Sequence, residues 1–189
     1  MNVYLIRHGK TEANERSLYC GRTDLPLSPA GRAEVERLRY EIPADVRFFT
    51  SGLRRTDETL EALFGKVAYE AVPALREMDF GKFEMRGYGE LKDDPEYQAW
   101  IHGDNAANVT PGGESGSQMR ARALEAFAAI QAAGEDAAIV THGGVIAAIM
   151  EALFPNEHRN RYEWQPAPGG GYALHLEEPE RTYTALQAR

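Results

Sequence analysis

Four short apolar runs divide this chain, at residues 3–6, 46–50, 67–72 and 137–141, and helical periodicities alternate with them. Runs of that length read as buried strands. Ser28-Pro29 pairs an N-cap with proline at the first helical position, and Val35, Leu38 and Ile42 share a face behind it. Leu53, Thr56, Leu60 and Phe64 form a second stripe. Met119, Ala123, Phe127 and Ile130 form a third, in an Ala-rich helix that begins near Glu114. Val145, Ile149 and Leu153 form a fourth, stopped by Pro155. Each stripe buries one helix face in a core. Strands alternating with helices predict an α/β fold, with three layers, α/β/α, around a mostly parallel sheet, because parallel strands need a crossover. The last third changes character. Residues 162–165, 171–176 and 183–186 read as strands joined by turns, giving the sheet an antiparallel edge through which two copies could pair as a homodimer.

The 189 residues suffice for one well-buried core, so a single domain over 1–189 is expected. Residues 73–113 are irregular and rich in Gly, Asp and Pro, with a cap or lid segment at about 82–113. Within it, residues 89–100 read as a short helix broken at Pro95. Loops of that length are usually functional or mobile.

Ligands of open α/β sheets sit beyond the carboxyl ends of the strands, and here each run is followed by reactive polar groups. Arg7-His8-Gly9 follows the first, with Thr11 and Asn14 close behind. An imidazole can act as a nucleophile and a neighbouring guanidinium can grip an anion. Ser51 to Thr56 follows the second, with Arg55 the expected ligand and Arg54 its solvated neighbour. Leu75 to Gly81 follows the third. Its Glu77, between apolar neighbours, can serve as a proton donor when partly desolvated. Thr141-His142-Gly143-Gly144 follows the fourth and opens a helix, whose N-terminus offers backbone N–H groups to an anion. Taken singly, each has an ordinary explanation: a polar loop, a surface arginine, an exposed carboxylate, a structural histidine.

The net charge of −8 argues against general nucleic-acid binding, which needs a basic face, but not against a small anionic substrate held by a few Arg and His. The lone cysteine, Cys20, allows no intrachain disulfide and fits a reducing cytoplasmic setting, as a small loop residue without redox work. The first residues do not read as a signal peptide, and the apolar stretch at 145–154 is too short to span a membrane. No residues show metal-ligand spacing, so neither a metal nor another cofactor is expected.

Six ordered motifs cover nearly the whole chain: R-H-G-x-T-x-x-N at 7–14, G-x-x-D-x-P-L-S at 21–28, S-x-L-x-R at 51–55, L-x-E-x-x-F-G at 75–81, P-G-G-E-S at 111–115 and T-H-G-G at 141–144. Together they resemble the histidine phosphatase superfamily, with its phosphoglycerate mutase-like fold. The resemblance implies that His8 attacks phosphorus and carries a phosphohistidine. It implies that Arg7, Arg55 and His142 surround the phosphoryl oxygens with Asn14, and that backbone N–H groups of Gly21 and Gly143 add contacts. Glu77 would protonate the leaving oxygen and then assist water. Phosphoryl transfer is mostly positioning and charge stabilisation, which suits this set. His8 must be neutral to attack, whereas His142 acts best charged.

Some positions depart from the family pattern. Lys10 stands where Glu is common, Gly52 where Pro is common, Phe83 where Trp is frequent and Met85 where Gly is frequent. Lys10 and the 83–88 segment are candidates for tuning substrate choice. The interval from Gly81 to Pro111 is shorter than in the mutases, which implies a phosphatase acting on a small phosphorylated metabolite. F-E-M-R at 83–86 and the residues after it resemble the branch that hydrolyses α-ribazole-5′-phosphate in cobalamin nucleotide-loop assembly. Tyr88, Tyr97 and Trp100 would then stack on the aromatic base. The alternatives are a broad-specificity or sugar-phosphate phosphatase, then a phospho-ligand-binding protein without catalysis, with a phosphoglycerate mutase below these. Intact His8, Glu77 and His142 weigh against the binding protein.

Overall fold

The computed structural model describes residues 1–104, 106–177 and 180–187. Six strands form one sheet: β1 (Asn2–Arg7), β2 (Arg47–Thr50), β3 (Tyr69–Ala71), β4 (Ala137–Thr141), β5 (Gly171–Leu176) and β6 (Arg181–Ala185), in the order β3-β2-β4-β1-β5-β6. The first four are mutually parallel, and β5 and β6 continue the sheet antiparallel. The expected α/β architecture with an antiparallel edge is therefore present. Central β4 is buried at every position, so its sequence is continuously apolar instead of alternating.

Alternation along the strands sorts the core onto two faces. Val3, Leu5, Ala137 and Ile139 pack with α6 (Gly116–Ala132) and α7 (Gly143–Leu153). Ile6 and Val140 point the other way, to Leu60 of α3 (Arg54–Phe64) and to Ile42. The Met119, Ala123, Phe127 and Ile130 stripe is buried as expected, and Ser115 caps its helix in a capping box with Gln118.

Register positions the site. Arg7 lies opposite Thr141, and Thr50 lies opposite both Val140 and Ala71. The loops after the four parallel strands therefore leave the sheet at one edge.

Four expectations change. Residues 162–164 lie in a turn and residue 165 in no regular element, because Asn160 Oδ1 accepts the N–H groups of Tyr162 and Glu163 and so competes with a ladder. Trp164 in that turn is 1% exposed and packs on Tyr172 and Tyr183. The helix after Ser28, α2 (Pro29–Val35), stops before Leu38 and Ile42; Pro43 disfavours a helical Ile42. β3 pairs over only three residues, all exposed at the sheet edge. Pro95 begins a helix instead of breaking one: α4 (Tyr88–Leu91) is followed by α5 (Pro95–His102), capped by Asp94 with Pro95 in its first turn.

Candidate active site

His8 and His142 meet edge to face, with ring centroids 5.1 Å apart. His8 donates from Nδ1 to its neighbour's carbonyl, Gly9 O, at 2.7 Å, which leaves Nε2 with its lone pair. The ring is 7% exposed and lines a cavity of about 540 Å³. His142 is fully buried behind it, its Nε2 2.8 Å from Ser51 Oγ. Thr56 Oγ1 spends its hydrogen on Leu53 O, so Ser51 donates to Thr56 and accepts from His142. That fixes hydrogen on His142 Nε2 and leaves buried Nδ1 without a partner among the described residues.

Two guanidiniums face this pair. Arg55, 1% exposed on the first turn of α3, is clamped by Thr23 O at 2.8 Å and Gly21 O at 2.7 Å. Arg7 is held by Pro166 O at 2.8 Å. Arg54 points outward to Glu58, as expected of the solvated neighbour. Asn14 closes a capping box with Thr11 at the start of the one-turn helix α1 (Glu12–Glu15). Its Oδ1 accepts from Thr11, and its amide Nδ2 has no partner among the described residues.

Glu77 is held from both sides. Oε1 accepts the Met78 N–H at 3.0 Å and Oε2 the Gly144 N–H at 2.9 Å. A Cβ on Gly144 would lie 2.4 Å from Oε1, so glycine is what lets the carboxylate reach the α7 N-terminus. The acceptor at that helix end is thus the protein's own Glu77 side chain. Arg122 of α6 fastens the loop behind it, donating to Ala74 O at 2.8 Å, Arg76 O at 2.6 Å and Glu77 O at 2.9 Å, and pairing with Glu114.

Burial, then Arg55 and Arg7, push the His8 imidazole down to about 3, against a partial opposing effect of its bond to Gly9. His8 is therefore a neutral base at ordinary pH, as a nucleophile must be. Burial, then Arg55, His8, Arg122 and Arg7, also hold His142 well below the usual imidazole range. Burial first, and three guanidiniums after it, thus hold His142 neutral in the protein alone, contrary to expectation. Burial raises the Cys20 thiol, which lines the cavity.

The histidine phosphatase superfamily (branch 1) model matches residues 3–188. The chain belongs to the histidine phosphatase superfamily. An adenosylcobalamin/alpha-ribazole phosphatase of Salmonella typhimurium is 31% identical over an alignment covering 100% of this chain and 97% of that protein. The crystal structure of the alpha-ribazole phosphatase from Shigella flexneri has a TM-score of 0.84 at 25% identity, covering 98% of this chain and 96% of that one. A phosphoglycerate mutase from Thermus thermophilus has a TM-score of 0.76 at 30% identity, with 99% of each chain covered.

Several sequence-derived positions take other roles in this histidine phosphatase. The Gly21 N–H is committed to Glu84 Oε1 at 2.9 Å, and Gly21 packs against the Met78 carbonyl; it serves the site by presenting its own carbonyl to Arg55. Gly143 sits against Arg7 and Gln165, and it is Gly144 that lines the cavity. Lys10 turns away to Glu34 at 2.9 Å. Gly52 has φ +73°, which proline cannot adopt. Residues 83–88 do not line the cavity; Glu84 instead ties down the backbone of residues 21–23. Tyr97 is buried in an aromatic cluster with Phe83 and Tyr19, and Tyr88 is 62% exposed off the cavity. Of the three aromatic residues expected to stack on a base, only Trp100 lines the wall, beside Tyr19, Phe80 and Ile101. Ser51, Arg122, Arg161 and Gln165 are additions. Ser51 lies within a motif, whereas the others carry no local signal.

Proposed function

We propose that this phosphatase hydrolyses a phosphomonoester through a phosphohistidine at His8, with α-ribazole-5′-phosphate as its substrate. The observation that carries the mechanism is the pinned His8 ring. Its Nδ1 is spent on Gly9 O, so Nε2 is the free lone pair at a cavity wall lined also by Arg7, Arg55 and Glu77. The phosphoryl group binds with its oxygens toward Arg7, Arg55 and the Asn14 amide. Nε2 attacks phosphorus in line, and the P–O bond to the leaving group breaks. Glu77, in its acid form, gives its proton to the departing oxygen, because an alkoxide is a poor leaving group. The resulting carboxylate takes a proton from water, which attacks phosphorus, releases phosphate and restores His8. His142 supplies a third positive charge behind His8, with Nε2–H on Ser51 and a proton taken up at Nδ1 as the dianion binds.

The 31% identity, over the whole chain, to a protein named for α-ribazole supports that substrate, as does the apolar wall of Trp100, Ile101, Phe80 and Met119, which suits an aromatic base. The likeness to a phosphoglycerate mutase supports keeping 3-phosphoglycerate as the rival. The test is steady-state phosphate release from α-ribazole-5′-phosphate, sugar phosphates, 3-phosphoglycerate and p-nitrophenyl phosphate, with His8→Ala as control. A kcat/KM for α-ribazole-5′-phosphate about a hundredfold above the rest is expected. Comparable values throughout would make the enzyme a generalist. Near wild-type turnover by His8→Ala would remove His8 as nucleophile.

A further inference from the structure

Phosphoryl transfer uses one end of the cavity. The other end carries a charged pair that this chemistry does not need. α7 lines the cavity with Gly144, Ala147, Ala148 and Glu151, a single helix face at spacings of three and four. Glu151 is thus two turns, about 10 Å of axial rise, beyond the glycine that holds Glu77. Its side chain leans back toward the helix N-terminus, as helical side chains do. The two alanines between them are too small to fill the path. From α6, Arg120 donates to Ala148 O at 3.0 Å and to Glu151 Oε2 at 3.1 Å. The two side chains are 38% and 32% exposed, so a bound molecule can reach both. Glu151 Oε1 and Arg120 Nη2 have no partner among the described residues.

A carboxylate acceptor beside a guanidinium donor, neutral as a pair, complements two adjacent hydroxyls. One hydroxyl donates to Oε1 while another accepts from the guanidinium. A second anion on the leaving group would instead meet the charge of Glu151. We infer that Arg120 and Glu151 form a diol-reading subsite that takes the vicinal hydroxyls of a sugar, of the ribosyl class, whose phosphate lies at His8. This inference rests on the phosphomonoesterase reading above and adds the side chains that read the sugar of the leaving group. Arg161, which also lines the cavity and has no partner among the described residues, makes an anionic leaving group the rival.

The experiment compares kcat/KM for ribose 5-phosphate, 2-deoxyribose 5-phosphate, 3-phosphoglycerate and p-nitrophenyl phosphate. It uses the wild type, Glu151→Ala and Glu151→Gln, each checked for an unchanged melting transition. The wild type should favour ribose over 2-deoxyribose by about tenfold or more, the effect of a hydrogen bond to a charged group. That ratio should fall close to one in Glu151→Ala and survive in part in Glu151→Gln, which keeps an acceptor oxygen. p-Nitrophenyl phosphate, which lacks a diol, measures any loss common to all substrates. A bridge that merely joins α6 to α7 would lower all four substrates alike and leave the ratio intact, which overturns the subsite. So would the absence of a ribose preference in the wild type, or a wild-type preference for 3-phosphoglycerate over both sugars. No release from any compound, p-nitrophenyl phosphate included, would instead remove the phosphatase reading, and the subsite with it.

Discussion

Replacing Gly144 by alanine should damage catalysis without damaging the fold. The added Cβ would stand 2.4 Å from Glu77 Oε1 and 3.1 Å from its Cδ, where ordinary contact begins at 3.4 Å. The carboxylate must therefore retreat by about 1 Å, and a misplacement of that size costs on the order of a hundredfold in rate. A hundredfold corresponds to about 2.7 kcal/mol of barrier. The main chain can accept alanine, since Gly144 is not among the residues with positive φ and lies inside α7. Alanine within a helix is favoured over glycine by up to about 1 kcal/mol, so the melting transition should hold or rise. The assay is kcat/KM on an alkyl phosphate and on p-nitrophenyl phosphate, with Glu77→Gln measured in parallel. If Glu77 is the acid, both variants should lose roughly tenfold to a hundredfold on the alkyl ester and much less on the aryl ester, whose leaving group needs little protonation. Equal losses on the two esters, or an alkyl rate within twofold of wild type for Gly144→Ala, would refute the reasoning.

Three further outcomes are expected. His8 titrates at about 3 in the folded protein and at about 6.5 unfolded, so between those values the unfolded chain binds more protons. Its contribution to stability, several kcal/mol at most, is then complete above pH 6.5 and lost as pH falls toward 3. Urea unfolding from pH 7 to 4 should show a flatter pH dependence for His8→Gln, and identical slopes would disprove it. Arg122→Leu leaves Glu114 without its cation and three carbonyls without a donor. A loss of about 2–3 kcal/mol is expected in urea, since the pair is only partly buried, and an unchanged midpoint would contradict that. Ser51→Ala removes the acceptor for His142 Nε2–H and should cut kcat about tenfold while altering the nitrogen shifts of His142. Unaltered shifts would show that Ser51 does not set the tautomer.

Local physics made much of this protein readable before its fold was known. The buried strands announce themselves as apolar runs because parallel strands covered on both faces need no polar alternation. β4 is found over the very residues whose pattern predicts it. Arg7, His8, Arg55 and Glu77 line one cavity, as their places after apolar runs predict, because strand ends at one sheet edge must deliver their loops to one place. The errors arose where side chains compete with the backbone or where a partner is distant in sequence. Asn160 turns residues 160–163 into a cap, and nothing in their alternation reveals it. Lys10 is drawn to Glu34 and Gly21 to Glu84, each a choice made by packing.

The sequence by itself determined the class of sheet and the family, and singled out the candidate reactive groups, because those depend on residue type and short-range order. The tertiary structure decided what each group is able to do. Only register brings His8 against His142. Only the missing Cβ of Gly144 lets Glu77 reach the α7 N-terminus. Only the crossing of α6 and α7 sets Arg120 beside Glu151. Proton affinity, orientation and reach depend on burial and on neighbours many residues away, and a linear pattern carries no distances.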